Sequence, residues 1–183
     1  MSILISIEHL NVYPYLYKNI KKTSSKKGGH IMTVKIKKIV DELEMTFDEH
    51  SSYFNISDGE VYTVSDEVMS AAEEGDPLED FPDWQQENIK TAQSIISEDN
   101  YIELPSKFDV HEYAIMEEFC YTIKDSKISD ALQIAIQGKG AFRRFKDACH
   151  RFNFIEQWYS YKSEALKEIA ISWCNNNNLE YEE

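Results

Sequence analysis

The chain has 183 residues and a mass of 21.4 kDa, the size of one ordinary domain. Apolar residues make up 42% and aromatics 13%, enough to bury a core, which excludes wholesale disorder. With 33 acids against 19 bases the net charge is -14, so the chain is not built to coat nucleic acid or an anionic membrane by charge alone.

The apolar runs are only a handful of residues long, too short for a transmembrane helix, so no membrane association is expected. The three cysteines, Cys120, Cys149 and Cys174, form no Cys-x-x-Cys pair and leave one over. That pattern suits reduced thiols in a cytoplasm better than a disulfide framework.

Residues 1–31 differ from the rest, with five lysines and a single acid, Glu8, and no amphipathic period. The opening apolar run lacks a basic start and a small-residue cleavage site, so it does not read as a secretory signal. Lys27-Gly28-Gly29 can be encoded as a purine-rich ribosome-binding sequence, and Met32 follows after a short spacer. The expectation is that translation begins at Met32 and 1–31 is a translated leader, or else a disordered basic tail, and that 32–183 is one domain.

The elements follow in chain order. Val34, Ile36, Ile39, Val40 and Leu43 are spaced for a helix after a short extended start. Two β-rich runs flank Asp58-Gly59 and predict a hairpin over 52–64. Ser65 suits an N-cap, with Asp66 and Glu67 in the first turn of a helix to about Glu74. Asp83 and Gln86 suggest a capping box for a helix whose buried side holds Trp84, Ile89, Ala92, Ile95 and Ile96. Residues 101–104 read as a short strand stopped by Pro105. Asp109 and Glu112 suggest a second capping box, with Val110, Tyr113, Ala114, Met116 or Glu117, and Cys120 or Tyr121 facing inward. Helices are then expected over 126–136 and 141–151, with Gly138 at a positive φ after the first. Asn153 and Glu156 suggest a capped segment to Trp158, and a separate longer helix covers 160–174. The expected fold is α+β, a mostly helical single domain with a small antiparallel sheet.

Charge is unevenly placed. Between Asp41 and Glu103 stand nineteen acids and one base, Lys90. Between Gly138 and Arg151 stand five bases and one acid, Asp147. The glycines before the 141–151 helix leave free N–H groups at its positive end. Gly138, Lys139, Gly140, Arg143, Arg144 and Lys146 are therefore the candidate anion- or partner-binding residues. The bland alternative is a C-cap and turn followed by a solvated basic face. Phe142, Phe145, Cys149 and Phe152 are expected to line that helix's core side. The run is neither a Walker loop nor a dinucleotide fingerprint.

This same run carries a resemblance. Gly138-Lys139-Gly140-Ala141-Phe142-Arg143-Arg144-Phe145-Lys146-Asp147, with Ala135-Ile136-Gln137 before it, resembles the uncharacterised protein family 0158 of bacteria. Tyr101-Ile102-Glu103-Leu104-Pro105, Met116-Glu117-Glu118-Phe119 and Trp158-Tyr159 add weaker matches. The resemblance covers roughly 34–173, with 71–100 the least similar part. It implies a bacterial source and transfers no activity.

Other chemistry is thinly supported. His50, His111 and His150 are scattered, and no metal-ligand spacing or cofactor motif occurs, so no metal and no cofactor is expected. Neighbouring Cys149 and His150 diverge by roughly 100° on a helix and make a poor nucleophile pair. Ser129, Asp130 and His150 lack a nucleophile-elbow context. Trp158, Tyr159 and Tyr161 suit packing better than a stacking surface. The expected function is non-enzymatic, a cytoplasmic interaction or regulatory protein that meets a protein or nucleic-acid partner. The alternatives are a metal-dependent enzyme on a phosphorylated or nucleic-acid substrate, and an acidic nucleic-acid mimic.

Overall fold

A computed structural model describes residues 33–45 and 48–183; the segment 1–31 lies outside the described residues. Strand β1 (Val34–Lys35) runs straight into helix α1 (Ile36–Glu44), whose Ile36, Ile39, Val40 and Leu43 are buried at three-to-four spacing. Strands β2 (His50–Asn55) and β3 (Val61–Ser65) form the expected hairpin, in the register Tyr53↔Tyr62. Gly59 takes φ 74° in the turn, where a Cβ would be strained. Strand β4 (Tyr101–Glu103) adds to the other edge of β2, giving an antiparallel sheet in the order β3-β2-β4.

The Ser65 hydroxyl accepts from the Val68 N–H and starts α2 (Asp66–Glu74). A 3-10 turn, Leu78–Asp80, leads to α3 (Asp83–Ser97). Val64, Val68, Ile89 and Ala92 form a small second core between this helix pair and β3.

Helices α4 (Lys107–Val110), α5 (Glu112–Thr122), α6 (Ser126–Ala135), α7 (Ala141–Arg151) and α8 (Ile155–Asn176) build the larger part. With α1 and the inner face of β2 they enclose the main core. Trp158 is fully buried at its centre, edge-on to Phe145 at 4.9 Å and to Phe119 at 5.5 Å between ring centroids. The Trp173 indole N–H donates to the Glu103 carbonyl at 2.8 Å and ties α8 to the sheet. Strand β5 (Tyr181–Glu182) pairs parallel with β1, an element with no sequence signal beyond the Asn175–Asn178 run.

Several expectations are corrected. Asp83 is the first residue of α3 and makes no cap; Gln86 instead donates to the Phe81 carbonyl. Trp84 is 74% exposed and Ile96 also lies in water. Trp84 stands five residues before Ile89, roughly 140° round the helix, so it cannot share that inward face. The second capping box sits three residues early, on Ser106 and Asp109, because His111 at φ 49° ends α4 and restarts the helical phase. The inward face of α5 is therefore Ile115, Met116, Phe119 and Cys120, while Tyr113 and Tyr121 are exposed. Asn153 does not open a helix but takes φ 59° as the residue closing α7, a conformation asparagine tolerates, and α8 is one continuous helix.

In α7, Ala141, Phe145, Ala148 and Cys149 are buried, Phe152 is half-buried, and Phe142 is 44% exposed. A first-turn side chain leans past the helix N-terminus, beyond the packed neighbours. Phe145→Ala is expected to cost about 3–5 kcal/mol of unfolding free energy. Phe142→Ala is expected to stay within about 1 kcal/mol. Urea denaturation of both variants checks the facing of α7.

Candidate functional site

Helix α6 is capped by Asp125, whose carboxylate accepts from the Lys127 and Ile128 N–H groups. The chain leaves its end through Ile136 and Gln137, bends at Gly138 (φ 72°) and Gly140 (φ 79°), and enters α7 at Ala141. Gly138 thus has the expected positive φ, two residues beyond the helix cap rather than next to the last turn. A Cβ at Gly140 would lie 3.2 Å from the Arg144 guanidinium, so this glycine is held by both conformation and space.

Arg144 is the residue that organises the bend. Its guanidinium donates to the carbonyls of Gln137 and Lys139, with the Gly138 carbonyl 3.5 Å away. It caps the outward carbonyls that the end of α6 and the bend would otherwise leave to water. A guanidinium bound in this way is a brace for the loop. Of the six candidate residues, Arg144 is therefore committed to the protein's own backbone.

The other side chains are free of such ties. Lys139, Arg143 and Lys146 are exposed. Arg143 has one acidic neighbour, Asp147 at 4.0 Å, with both side chains largely in water, a contact that contributes little. Lys139 and Lys146 make no ion pair among the described residues. Arg151 lies over the Phe152 ring, 4.7 Å from its centroid, at the far end of the helix. Around the bend, Ile134 (67%) and Phe142 expose apolar surface. Lys139, Arg143, Lys146, Ile134 and Phe142 are thus exposed on the end of α6, the bend and the first half of α7. Ile134 was not singled out by sequence, although its place near the end of α6 was readable.

The remaining candidates are placed elsewhere. Cys120, Cys149 and Cys174 are buried free thiols. Burial pushes the Cys120 thiol up to about 12 and those of Cys149 and Cys174 up to about 11, against attack chemistry. His150 is exposed whereas its neighbour Cys149 is buried. The Ser129 hydroxyl is buried and donates to the Cys120 carbonyl at 2.8 Å, joining α6 to α5. Trp158 is core, Tyr161 is half-buried with its hydroxyl 3.4 Å from the Glu118 carboxylate, and Tyr159 is exposed. Burial, with Glu118 beside it, pushes the Tyr161 hydroxyl up to about 12.

One cleft lies between α1, β2 and β4, lined by Glu42, His50, Glu103 and Ser106 among others. Its volume is about 20 Å³, room for a single water. The Glu42 carboxylate is already occupied by the Ser52 and Thr63 hydroxyls at 2.7 and 2.6 Å. Among the described residues no group of three His, Cys, Asp or Glu side chains is placed to hold a metal ion.

A family profile described as Uncharacterised protein family (UPF0158) matches residues 30–182. The chain belongs to this family. A UPF0158 protein of Pseudomonas aeruginosa is 25% identical over 67 residues, which is 36% of this chain and 44% of that relative. The match thus spans less than half of the relative's own length. No solved structure matches. The family description names no activity, and the reading of the corner rests on its geometry.

Arg144→Ala is expected to lower the thermal midpoint more than either Arg143→Ala or Lys146→Ala, because only Arg144 holds backbone carbonyls. Gly140→Ala is expected to destabilise by about 1–2 kcal/mol, the usual penalty of a left-handed residue with a Cβ. Thermal and urea melts of the four variants check the brace. The three thiols are expected to react with Ellman's reagent only as fast as the protein unfolds, which timed labelling with and without urea reads directly.

Proposed function

We propose that the protein acts by binding rather than by catalysis, and that the α6–α7 corner is its contact surface for an acidic partner, a protein or a nucleic acid. The observation that carries this reading is that Lys139, Arg143 and Lys146 are exposed and almost uncompensated on the bend and α7, elements that with the end of α6 also leave Ile134 and Phe142 exposed. Exposed cations together with exposed apolar side chains favour short-range docking with charge selection. The glycines and the Arg144 brace hold the surface rigid, which lowers the entropy lost on binding.

The overall charge of -14 shapes the contact. A polyanion is repelled by the molecule at long range, so attraction is local to the corner and is screened by salt. A cytoplasmic setting is part of the proposal and is supported by three free thiols. Among the described residues no helix is long and apolar enough to cross a membrane. The alternative of a metal-dependent enzyme gains less support, since Asp147 is the one acid between Gly138 and Arg151.

Heparin, a polyanion, is a direct probe. The wild-type chain is expected to be retained at about 50 mM salt and released as salt rises. The double variant R143E/K146E is expected to pass straight through with its thermal midpoint little changed. Equal elution of the two proteins would remove the corner from the proposal. Low-salt affinity capture from lysate of the source organism, with R143E/K146E as control, then identifies what binds there.

A further inference from the structure

The α2–α3 lobe carries a second surface of opposite character. Trp84, in the first turn of α3, is 74% exposed, whereas Trp158 and Trp173 are buried. Its indole is a large apolar platform left in water by a lobe whose own small core is complete without it. From Asp66 to Glu87 the lobe has nine acids and no base. Asp80, Asp83 and Glu87 flank Trp84 in sequence, with Glu87 three residues on and so on the same helix face. None of these three carboxylates makes an ion pair or a side-chain hydrogen bond among the described residues.

The two features select the occupant together. An apolar partner covering Trp84 would strip water from unpaired carboxylates, an unfavourable burial. A nucleic acid would meet like charge. A cation with a planar head satisfies both features, because a guanidinium stacks on an indole face and forks its donors onto carboxylates.

We propose that the Trp84 face of the α2–α3 lobe is a docking site for an arginine-rich segment of another protein. The site lies on different elements from the α6–α7 corner and does not depend on the reading of that corner. Together the two surfaces would let one chain hold an acidic and a basic partner at once.

The test titrates a hexa-arginine peptide into the full chain at low salt by calorimetry, with tryptophan emission followed in parallel. Saturable binding with a change in emission is expected, because Trp84 is the tryptophan in water. Affinity is expected to fall at least tenfold in W84A and in D83N/E87Q, to be weaker for hexa-lysine, and not to fall in R143E/K146E. Circular dichroism of W84A is expected to match the wild type, since the residue packs on little. No saturable binding, or binding to W84A within twofold of wild type, overturns the proposal in favour of diffuse charge attraction. Sedimentation showing a self-associated form that W84A abolishes would also overturn it, by assigning the face to a second copy of the chain.

Discussion

The burial of Trp158 against Phe145 and Phe119 is the contact on which the functional surface depends. It brings α8, α7 and α5 together at one point, with edge-on rings 4.9 to 6.1 Å apart. Such aromatic pairs are directional as well as apolar, so they hold helix rotation as well as helix distance. Once Phe145 is turned inward, the 3.6-residue period leaves Arg143 and Lys146 no choice but solvent. The basic face of α7 is thus a consequence of what its other face packs against.

A second constraint acts where α6 hands the chain to α7. A bend between two helices leaves carbonyls without partners, and here one arginine gathers those of Gln137 and Lys139. The two glycines supply the positive φ that the bend needs, and Gly140 also makes room for the guanidinium. The positive charge of Arg144 thereby serves the fold, while Lys139, Arg143 and Lys146 are left to face outward. Residues that look alike in a basic run have been divided by geometry into a brace and a surface.

The acids are distributed by a similar logic. The α2–α3 lobe has a core of only four buried residues, Val64, Val68, Ile89 and Ala92. Most of its side chains are therefore surface, and the sequence fills that surface with carboxylates and one tryptophan. The main core is much larger and holds all three cysteines and two of the three tryptophans. Opposite charges end up on separate parts of the molecule, with little internal pairing between them. Among the described residues, the half-buried Lys162–Glu112 pair at 2.7 Å is the most sheltered of the ion pairs.

Local chemistry was legible in the sequence. The Asp-Gly turn, the Ser65 cap, the limits of α7, the positive φ of Gly138 and the family resemblance all depend on residues close together in the chain. What sequence misread depended on distant partners or on phase. Trp84 reads as core by its side chain, yet its angle from Ile89 and the small size of the lobe leave it in water. His111 breaks the phase of α4 and α5 with a left-handed backbone, so Ile115 and Phe119 join the expected Met116 and Cys120 on the inward face of α5, and Tyr113 is left exposed. Strand β5 exists because β1, about 147 residues earlier in the register, offers it hydrogen bonds. The sequence by itself determined the uneven charge, the helical periods and the glycine bend, because these follow from nearest neighbours and backbone sterics. Only the tertiary structure decided which arginine is a brace, which aromatics are core and which face of each charged helix meets water, because those choices rest on packing between elements far apart in the chain.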